Sequence, residues 1–230
     1  MVKEIIDKLN RELPATVKLV AVSKFHPFEA IQEAYAAGQR IFAESRPQEL
    51  LAKVRRLEEI RIQREDPYYM ADVQWHFIGH LQTNKLKMVL PYVSMVQSVD
   101  SVRLLDAIQN WGAANGCVKG VLLEPHVAAE ETKQGFLPEE IYEILSAADR
   151  YPNISFKGIM GMATFTDDES VVRSDFAALR SIFDTCSSRF PMPAPEFTEF
   201  SIGMSDDYRL AIEYGSTIVR IGSMIFGNRQ

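Results

Sequence analysis

The sequence has few cysteines and no long apolar segment, and both absences narrow the class of protein. Cys117 and Cys186 are the only cysteines among 230 residues, and neither belongs to a C-x-x-C pair. This favours reduced thiols in a cytoplasmic protein over a disulfide framework. No window of eighteen apolar residues occurs, so we expect no membrane-spanning helix. Residues 1–13 have the spacing of an amphipathic helix and lack the apolar centre of a signal peptide.

The sequence also lacks a basic block and the common motifs of nucleotide-binding proteins and hydrolases. The formal net charge is -6, so we expect no nucleic-acid partner. The local cluster Lys53–Arg56 is most simply the solvated face of a helix. No G-x-S-x-G, G-x-x-x-x-G-K-[ST] or G-x-G-x-x-G stretch is present. The usual signals of a hydrolase, a P-loop protein and a dinucleotide-binding fold are therefore missing.

What the sequence does contain is a regular alternation of short apolar runs and longer amphipathic stretches. Strands are predicted at Leu19–Ser23, Arg40–Glu44, Val73–Ile78, Ser94–Val99, Cys117–Glu124, Ser155–Met160, Phe197–Ser201 and Thr217–Ile221. A helical pattern follows each strand, and Asp100 is predicted to cap the helix at Ser101–Ala114. Such alternation implies a parallel sheet. Eight units without a break in composition favour a single α/β domain over residues 1–230, a closed (β/α)8 TIM barrel.

The stretch Val17–Pro27 carries the strongest chemical signal. Leu19–Val22 is an unbroken apolar run of the kind found in strands that are covered on both faces. Lys24 follows it, at the strand end where α/β folds bind ligands. A lysine amine in such a place can have a lowered pKa and form a Schiff base with an aldehyde. The alternative is a lysine that only extends its amine to solvent from the end of a strand.

Two later corners have the composition of an anion site. Ser201–Asp207 follows the seventh strand, where Gly203 allows close backbone approach and Asp206 can cap the next helix. Arg220–Ser223 closes the eighth strand with a second glycine and a hydroxyl. Glycine and hydroxyl residues before a helix present backbone N–H groups to anions, and barrels often hold phosphate at these two corners. Each corner alone is equally consistent with an ordinary strand-to-helix turn.

Polar residues inside the predicted strands are open to more than one role. An arginine at position 220 that faces a barrel interior needs an acceptor, because its guanidinium cannot be neutralised. That acceptor is either a carboxylate such as Glu44 or Glu124, or an atom of a ligand. His76 and His80 have H-x3-H spacing, but they flank the end of a strand rather than share a helix face, and no third ligand is evident. We therefore expect no metal site, and His76 is interpreted as a mouth or core histidine.

Several segments taken together resemble one known family. They are Ala21–Lys24, Trp75–Lys85, Ser201–Asp207 and Val219–Gly227, with Glu131–Phe136 as a further stretch. In this order they are similar to the YggS/PROSC family of pyridoxal phosphate homeostasis proteins, and the resemblance covers essentially the whole chain. It implies one barrel similar to the N-terminal domain of alanine racemase and to eukaryotic-type ornithine decarboxylase, which is the type III fold of pyridoxal-phosphate proteins.

The resemblance also implies a cofactor site. Lys24 would form a Schiff base with pyridoxal 5'-phosphate, and Arg220 would face the pyridine nitrogen. The other residues expected to bind the phosphate or line the pocket are Ser45, His80, Ser201, Gly203, Met204, Gly222 and Ser223. Lys133 matches a family lysine outside the Schiff base and is expected to be a secondary contact or a transfer residue.

The chain departs from the usual family pattern at two strand ends. Ala43-Glu44-Ser45 stands where the family commonly has Gly-Glu-Asn, and Ser45 can still form a hydrogen bond but has a shorter reach. Glu124-Pro125-His126 stands where Gln-Val-Asn is more usual. These differences bear on the mouth of the predicted barrel.

The implied function is that of a carrier and regulator rather than an enzyme. An arginine cannot accept the pyridinium proton, so it favours an unprotonated ring that is a weak electron sink. Related racemases take a second acid/base from a C-terminal domain, which we do not expect here. We expect a cytoplasmic monomer that holds pyridoxal phosphate and delivers it to apo-enzymes. The alternatives are a pyridoxal-phosphate-dependent amino-acid racemase of low activity and, more remotely, a phosphate-sugar aldolase or isomerase.

Overall fold

The computed structural model describes residues 2–127, 135–190 and 197–227. Eight parallel strands close into a barrel in which each strand pairs with the next along the chain and the last pairs with the first. They are β1 Lys18–Val22, β2 Ile41–Glu44, β3 Gln74–Phe77, β4 Val93–Val99, β5 Lys119–Leu123, β6 Ile154–Met160, β7 Glu199–Ser201 and β8 Ile218–Ile221. The predicted (β/α)8 barrel is therefore confirmed.

Helices cover the outside of the barrel. In the described part of the chain they are α1 Val2–Glu12, α2 Phe28–Ala36, α3 Pro47–Arg64, α4 Leu86–Val89, α5 Val102–Asn115, α6 Pro138–Ser146, α7 Glu169–Arg189, α8 Tyr208–Glu213 and α9 Ser223–Phe226. Short 3-10 turns at Thr83–Lys85 and Ala148–Arg150 precede α4 and follow α6. Helix α1 precedes β1, and every later helix lies in a connection that follows a strand.

Successive side chains of each strand point to opposite sides of the barrel wall and so belong to two separate apolar cores. One apolar cluster has buried members that all lie on strands, so it fills the barrel interior; these are Val20, Val22, Ala43, Leu122, Met160 and Ile218. Leu19 and Ala21 belong instead to the larger cluster between the strands and the helices. Strand β1 therefore alternates between the two sides of the barrel wall, which matters for the residues that follow it.

Two predicted helix caps are wrong. The side chain that caps α5 is Ser101, which accepts a hydrogen bond from the first turn, and Asp100 lies one residue too early. At α8 the N-cap position is occupied by Asp207 rather than Asp206, and its carboxylate accepts from the backbone N–H of Met204 instead of from the helix. In both places adjacent residues suit a cap equally well, and the backbone conformation decides between them.

The structure shows the state of the two cysteines and the apolar character of the helices. Cys117 is partly exposed and Cys186 is buried, and both carry free thiols. Within the described ranges, no helix combines the length and the apolar character that a bilayer crossing requires.

Candidate functional site

The first corner of the barrel mouth carries Lys24, which is half-buried in a turn between β1 and α2. Phe25 adopts a left-handed φ of 69°, and its N–H donates to Glu49 Oε2 of α3 at 2.8 Å. The ring centroid of His26 lies 5.2 Å from that of Phe226 in α9. Contacts from two helices thus hold the turn that presents the amine.

The corner after β8 lies directly against β1. A Cβ added to Gly222 would lie 3.1 Å from the carbonyl oxygen of Val22, so glycine allows the corner to approach the strand that leads to Lys24. The N–H of Gly222 donates to Ser205 Oγ at 3.4 Å, which connects the β8 corner to the β7 corner. The structure therefore brings the two predicted anion corners together and places one of them beside the lysine strand.

Gly203 is required by the shape of the β7 corner. Its φ is +90°, and an added Cβ would lie 2.5 Å from Ala211 Cβ and 3.0 Å from Tyr208 Cα. Its carbonyl accepts a hydrogen bond from the backbone N–H of Arg220 at 3.0 Å. In the next corner α9 begins at the exposed Ser223, and amides in a first helical turn have no acceptor within their helix. Backbone donors are consequently presented at the same mouth as Lys24.

A hydrogen-bonded line of polar side chains crosses the barrel interior. Arg220 is 4% exposed; its Nη1 donates to the carbonyl and hydroxyl oxygens of Ser201, each at 2.7 Å, and its Nη2 donates to the Gly161 carbonyl at 2.9 Å. Ser201 Oγ in turn donates to Gln97 Oε1 at 2.7 Å, and Gln97 Nε2 lies 2.7 Å from His76 Nδ1. Within the described residues, no acceptor is found for Nε–H of Arg220.

Burial perturbs the titratable groups around this line. It lowers the pKa of Arg220 to about 10, against the attraction of Glu124 and Asp207, so the guanidinium stays charged at neutral pH. It lowers the pKa of His76 to about 4, which keeps that ring neutral. Burial, with repulsion from Asp100, raises the pKa of Glu124 to about 7. Arg220 is therefore a fixed positive charge in the interior, and Glu124 is a carboxyl that titrates near neutrality.

His80 occupies a separate groove at the corners after β3 and β4. Its Nδ1 lies 2.8 Å from Asp100 Oδ2, and this contact engages the carboxylate that was predicted to cap α5. The groove has a volume of about 500 Å³ and is lined, besides His80, by Leu81, Gln82, Thr83, Asn84, Asp100, Ser101, Arg103 and Leu104. His76 and His80 thus have different partners. No cluster of three metal-ligating side chains occurs in the part of the chain that the structure describes.

A buried ion pair behind β1 and β2 corrects the interpretation of Lys53. The side chain is not on a solvated face: Lys53 is 6% exposed, and its Nζ lies 2.5 Å from Glu44 Oε1. Glu44 is therefore paired with a lysine and not with Arg220, whose own acceptors are uncharged oxygens. A signal for this was present, because position 53 continues the series of buried residues, spaced three or four apart, that runs along α3.

The remaining predicted residues lie at the rim or outside the described ranges. Ser45 is half-buried, with its backbone packed against Gly79, and Met204 is 38% exposed. Lys133 lies outside the described residues, as does most of Glu131–Phe136. No role was predicted for Ser205 or Gln97; the local sign of the second is an amide in a strand that also contains Ser94 and Ser98.

Comparison with known proteins gives one consistent match. The family model described as the N-terminal domain of alanine racemase matches residues 2–230. A pyridoxal phosphate homeostasis protein of Aquifex aeolicus is 37% identical over 213 residues, which cover 93% of this chain and 87% of that protein. The human pyridoxal phosphate homeostasis protein is 38% identical over 236 residues, covering 99% of this chain and 82% of that protein.

Solved structures agree with these sequence matches. PipY of Synechococcus elongatus PCC7942, solved with PLP bound, superposes with a TM-score of 0.86 at 31% identity and covers 99% of this chain and 100% of that one. Alanine racemase from E. faecalis superposes with a TM-score of 0.73 at 15% identity, where this chain spans 57% of that protein. The second likeness shows a shared barrel fold.

Proposed function

The chain belongs to the family of alanine racemase N-terminal domains, among the pyridoxal phosphate homeostasis proteins, and we propose that it binds pyridoxal 5'-phosphate through a Schiff base to Lys24. The observation that carries this proposal is the approach of Gly222 to Val22, which sets an amide-bearing corner against the strand that leads to the lysine. An aldehyde and a phosphate on one small molecule need an amine and an anion cradle held close together. The PLP-bound PipY structure supports the same ligand class.

The residues present fit the group in charge and donor type. The β7 and β8 corners offer backbone amides and the exposed hydroxyl of Ser223 for the phosphate, and Arg220 offers its Nε–H to a ring atom. When bound, the cofactor supplies an aldehyde carbon that reacts reversibly with amines and a ring that withdraws electrons. Because Arg220 stays protonated, it can only donate a hydrogen bond to the ring nitrogen, which favours an unprotonated ring and weak electron withdrawal. Contacts of Ser45, His80, Ser201, Gly203 and Met204 with the cofactor stay predictions.

This arrangement suits retention and delivery of the cofactor more than turnover. We propose a carrier and regulator that acts as one domain, as a monomer in the cytoplasm, and passes pyridoxal phosphate to apo-enzymes. The competing function is an amino-acid racemase of low activity on the same barrel. The two differ in whether any amino acid is turned over, while both require the bond to Lys24.

Reductive trapping tests the bond. The protein is incubated with pyridoxal phosphate, reduced with borohydride and digested, and the modified lysine is located by mass spectrometry. We expect the adduct on Lys24, its absence in Lys24→Ala, and wild-type yield in Lys87→Ala, which removes an exposed lysine of α4. An adduct that persists in Lys24→Ala would show that another lysine binds the aldehyde.

A turnover assay then separates the carrier from the enzyme. Racemisation and transamination are measured for the common amino acids with the cofactor-loaded protein. We expect no turnover near the ordinary enzymatic range of about 1 per second or more. Turnover in that range that disappears in Lys24→Ala would establish the racemase or a transaminase instead.

A further inference from the structure

The turn that carries Lys24 is anchored from outside the barrel by one helix. Glu49 and Lys53 are four residues apart on α3, so their side chains lie on the same face. Glu49 Oε2 accepts from the N–H of Phe25 at 2.8 Å, and Lys53 Nζ donates to the carbonyl of Ser23 at 2.7 Å. The residues on both sides of Lys24 in the chain are therefore held by α3.

Ser23 is also held by the fully buried carboxylate of Glu44. Ser23 Oγ donates to Glu44 Oε1 at 2.6 Å, and Lys53 Nζ lies 2.5 Å from the same oxygen. Ser23 and Glu44 have no exposed surface, so neither the hydroxyl nor the carbonyl of Ser23 can exchange its partner for solvent. Glu44 Oε2 has no hydrogen-bond partner within the described residues, and burial raises the pKa of this carboxyl.

Burying the ion pair of Glu44 and Lys53 costs solvation free energy that an apolar core would not lose. Charges removed from water lose solvation, and apolar residues of similar volume often stabilise a core as well or better. Unlike apolar residues, the pair can bind the hydroxyl and the carbonyl of Ser23. Since β1 alternates across the barrel wall, with Val20 and Val22 inside and Ser23 outside, fixing Ser23 also fixes the direction in which the chain turns at Lys24.

We propose that Glu44 and Lys53 are positioning residues for Lys24, which act by clamping Ser23 against the outer side of the barrel wall. The clamp directs the next residue into the mouth, towards the corners after β7 and β8. This inference rests on the proposed role of Lys24 as the amine that binds the aldehyde. It concerns the placement of the Lys24 amine before any ligand binds, however, and is measurable on the protein alone.

The test uses the double variant Glu44→Leu/Lys53→Met, which replaces the ion pair with apolar side chains of similar size. The exchange removes the cost of burying two charges, but it leaves the hydroxyl and the carbonyl of Ser23 buried without partners, so the thermal unfolding midpoint is expected to fall while the fold is kept. Ligand-free protein is labelled with trace acetic anhydride, and acetylation of Lys24 is measured by mass spectrometry relative to the exposed Lys87. In a second assay, the borohydride-trapped adduct with pyridoxal phosphate is quantified.

The two readouts should move in opposite directions. A released Lys24 reaches solvent more often, so its relative acetylation should rise several-fold. The trapped adduct should fall by about tenfold or more, because a misplacement of about 1 Å is sufficient for a loss of that order. A variant that is merely less stable would also show raised acetylation of other buried lysines. Lys119→Met is the matched control, since it removes a half-buried lysine at the opposite end of the barrel, and it should leave both readouts unchanged.

A folded double variant with wild-type acetylation and wild-type adduct yield at Lys24 would overturn the inference. Should the double variant fail to fold, Ser23→Ala removes the hydroxyl contact and keeps the ion pair. It should show the same changes at smaller amplitude, and unchanged readouts would again contradict the clamp. If the wild type itself forms no adduct at Lys24, the proposed function fails, while the acetylation comparison still decides the role of Glu44 and Lys53.

Discussion

The backbone at Gly203 provides a quantitative test of how the anion corner is built. In Gly203→Ala the new side chain must adopt a φ of +90°, and the left-handed conformation costs an L-residue about 1–2 kcal/mol. Its Cβ would also lie 2.5 Å from Ala211 Cβ and 3.0 Å from Tyr208 Cα, and overpacking of this kind costs about 1–3 kcal/mol more. We expect a total loss of about 2–5 kcal/mol in the free energy of unfolding.

Gly38→Ala is a matched control for the conformational part of this cost. Gly38 has a φ of +99°, but no atom lies within 4 Å of the position that its Cβ would take. We expect this variant to lose about 1–2 kcal/mol only. The assay is urea unfolding of both variants and the wild type, followed by circular dichroism, with equal m-values required for the comparison. In thermal unfolding each 1 kcal/mol should lower the midpoint by about 2–4 °C in a chain of this size.

Equal losses in the two variants would refute the reasoning, because only Gly203 has close neighbours. A further readout follows from the carbonyl of Gly203, which accepts the backbone N–H of Arg220 at 3.0 Å. A displaced corner should therefore weaken the binding of pyridoxal phosphate in Gly203→Ala, whereas Gly38→Ala should bind it like the wild type. Unchanged binding together with a large loss of stability would separate the fold of the corner from the proposed cofactor site.

Three further predictions concern the polar interior. Burial raises the pKa of Glu124 from its ordinary value of 4.5 to about 7, so the folded state retains a proton that the unfolded chain releases between these values. The free energy of unfolding should therefore fall by about 2–3 kcal/mol from pH 4.5 to 7, and Glu124→Gln should remove this slope. Burial lowers the pKa of the His76 ring from an ordinary 6.5 to about 4, so NMR should show the ring neutral from pH 8 down to 5. Its contribution to stability should be lost as the pH falls from 6.5 to 4, and an NMR titration midpoint near 6.5 would contradict its burial. Arg220→Lys cannot satisfy Ser201 and Gly161 together, so it should lose about 1–3 kcal/mol in urea unfolding, and wild-type stability would show that the forked contacts are dispensable.

The barrel could be predicted because its signals are local. An apolar run followed by a turn residue indicates each strand, and repetition of this unit leaves few alternatives to a closed parallel sheet. Strand ends were less certain: the run at Cys117–Glu124 was predicted as one strand, while β5 covers Lys119–Leu123. The caps failed for a related reason. Asp100 is engaged with His80, twenty residues earlier in the chain, and no local pattern can show such a contact.

The parts of the candidate site that could be predicted are the corners where the backbone geometry favours glycine. Gly203 and Gly222 were identified from composition, and the structure shows that a Cβ would clash at Gly203 and would be tightly placed against Val22 at Gly222. Side-chain partners were harder to predict, because they depend on register across the barrel. The sequence analysis left a carboxylate or a ligand atom as the acceptor for Arg220. In the structure its acceptors are the carbonyl of Gly161 and the oxygens of Ser201, which become neighbours only when β6, β7 and β8 align.

The wall of the barrel is a single layer of strands, so the residues proposed to position Lys24 can lie on the outer side of this wall. Successive residues of a strand face opposite sides, so a side chain in the mouth follows a neighbour that packs between strand and helix. After β1 that neighbour is Ser23, and its partners Glu44 and Lys53 lie on the outer side of the wall. Inside the barrel, Val20 and Val22 of the same strand pack in the apolar cluster. Polar groups that fix direction are therefore more effective outside, where α3 is rigid and water is excluded.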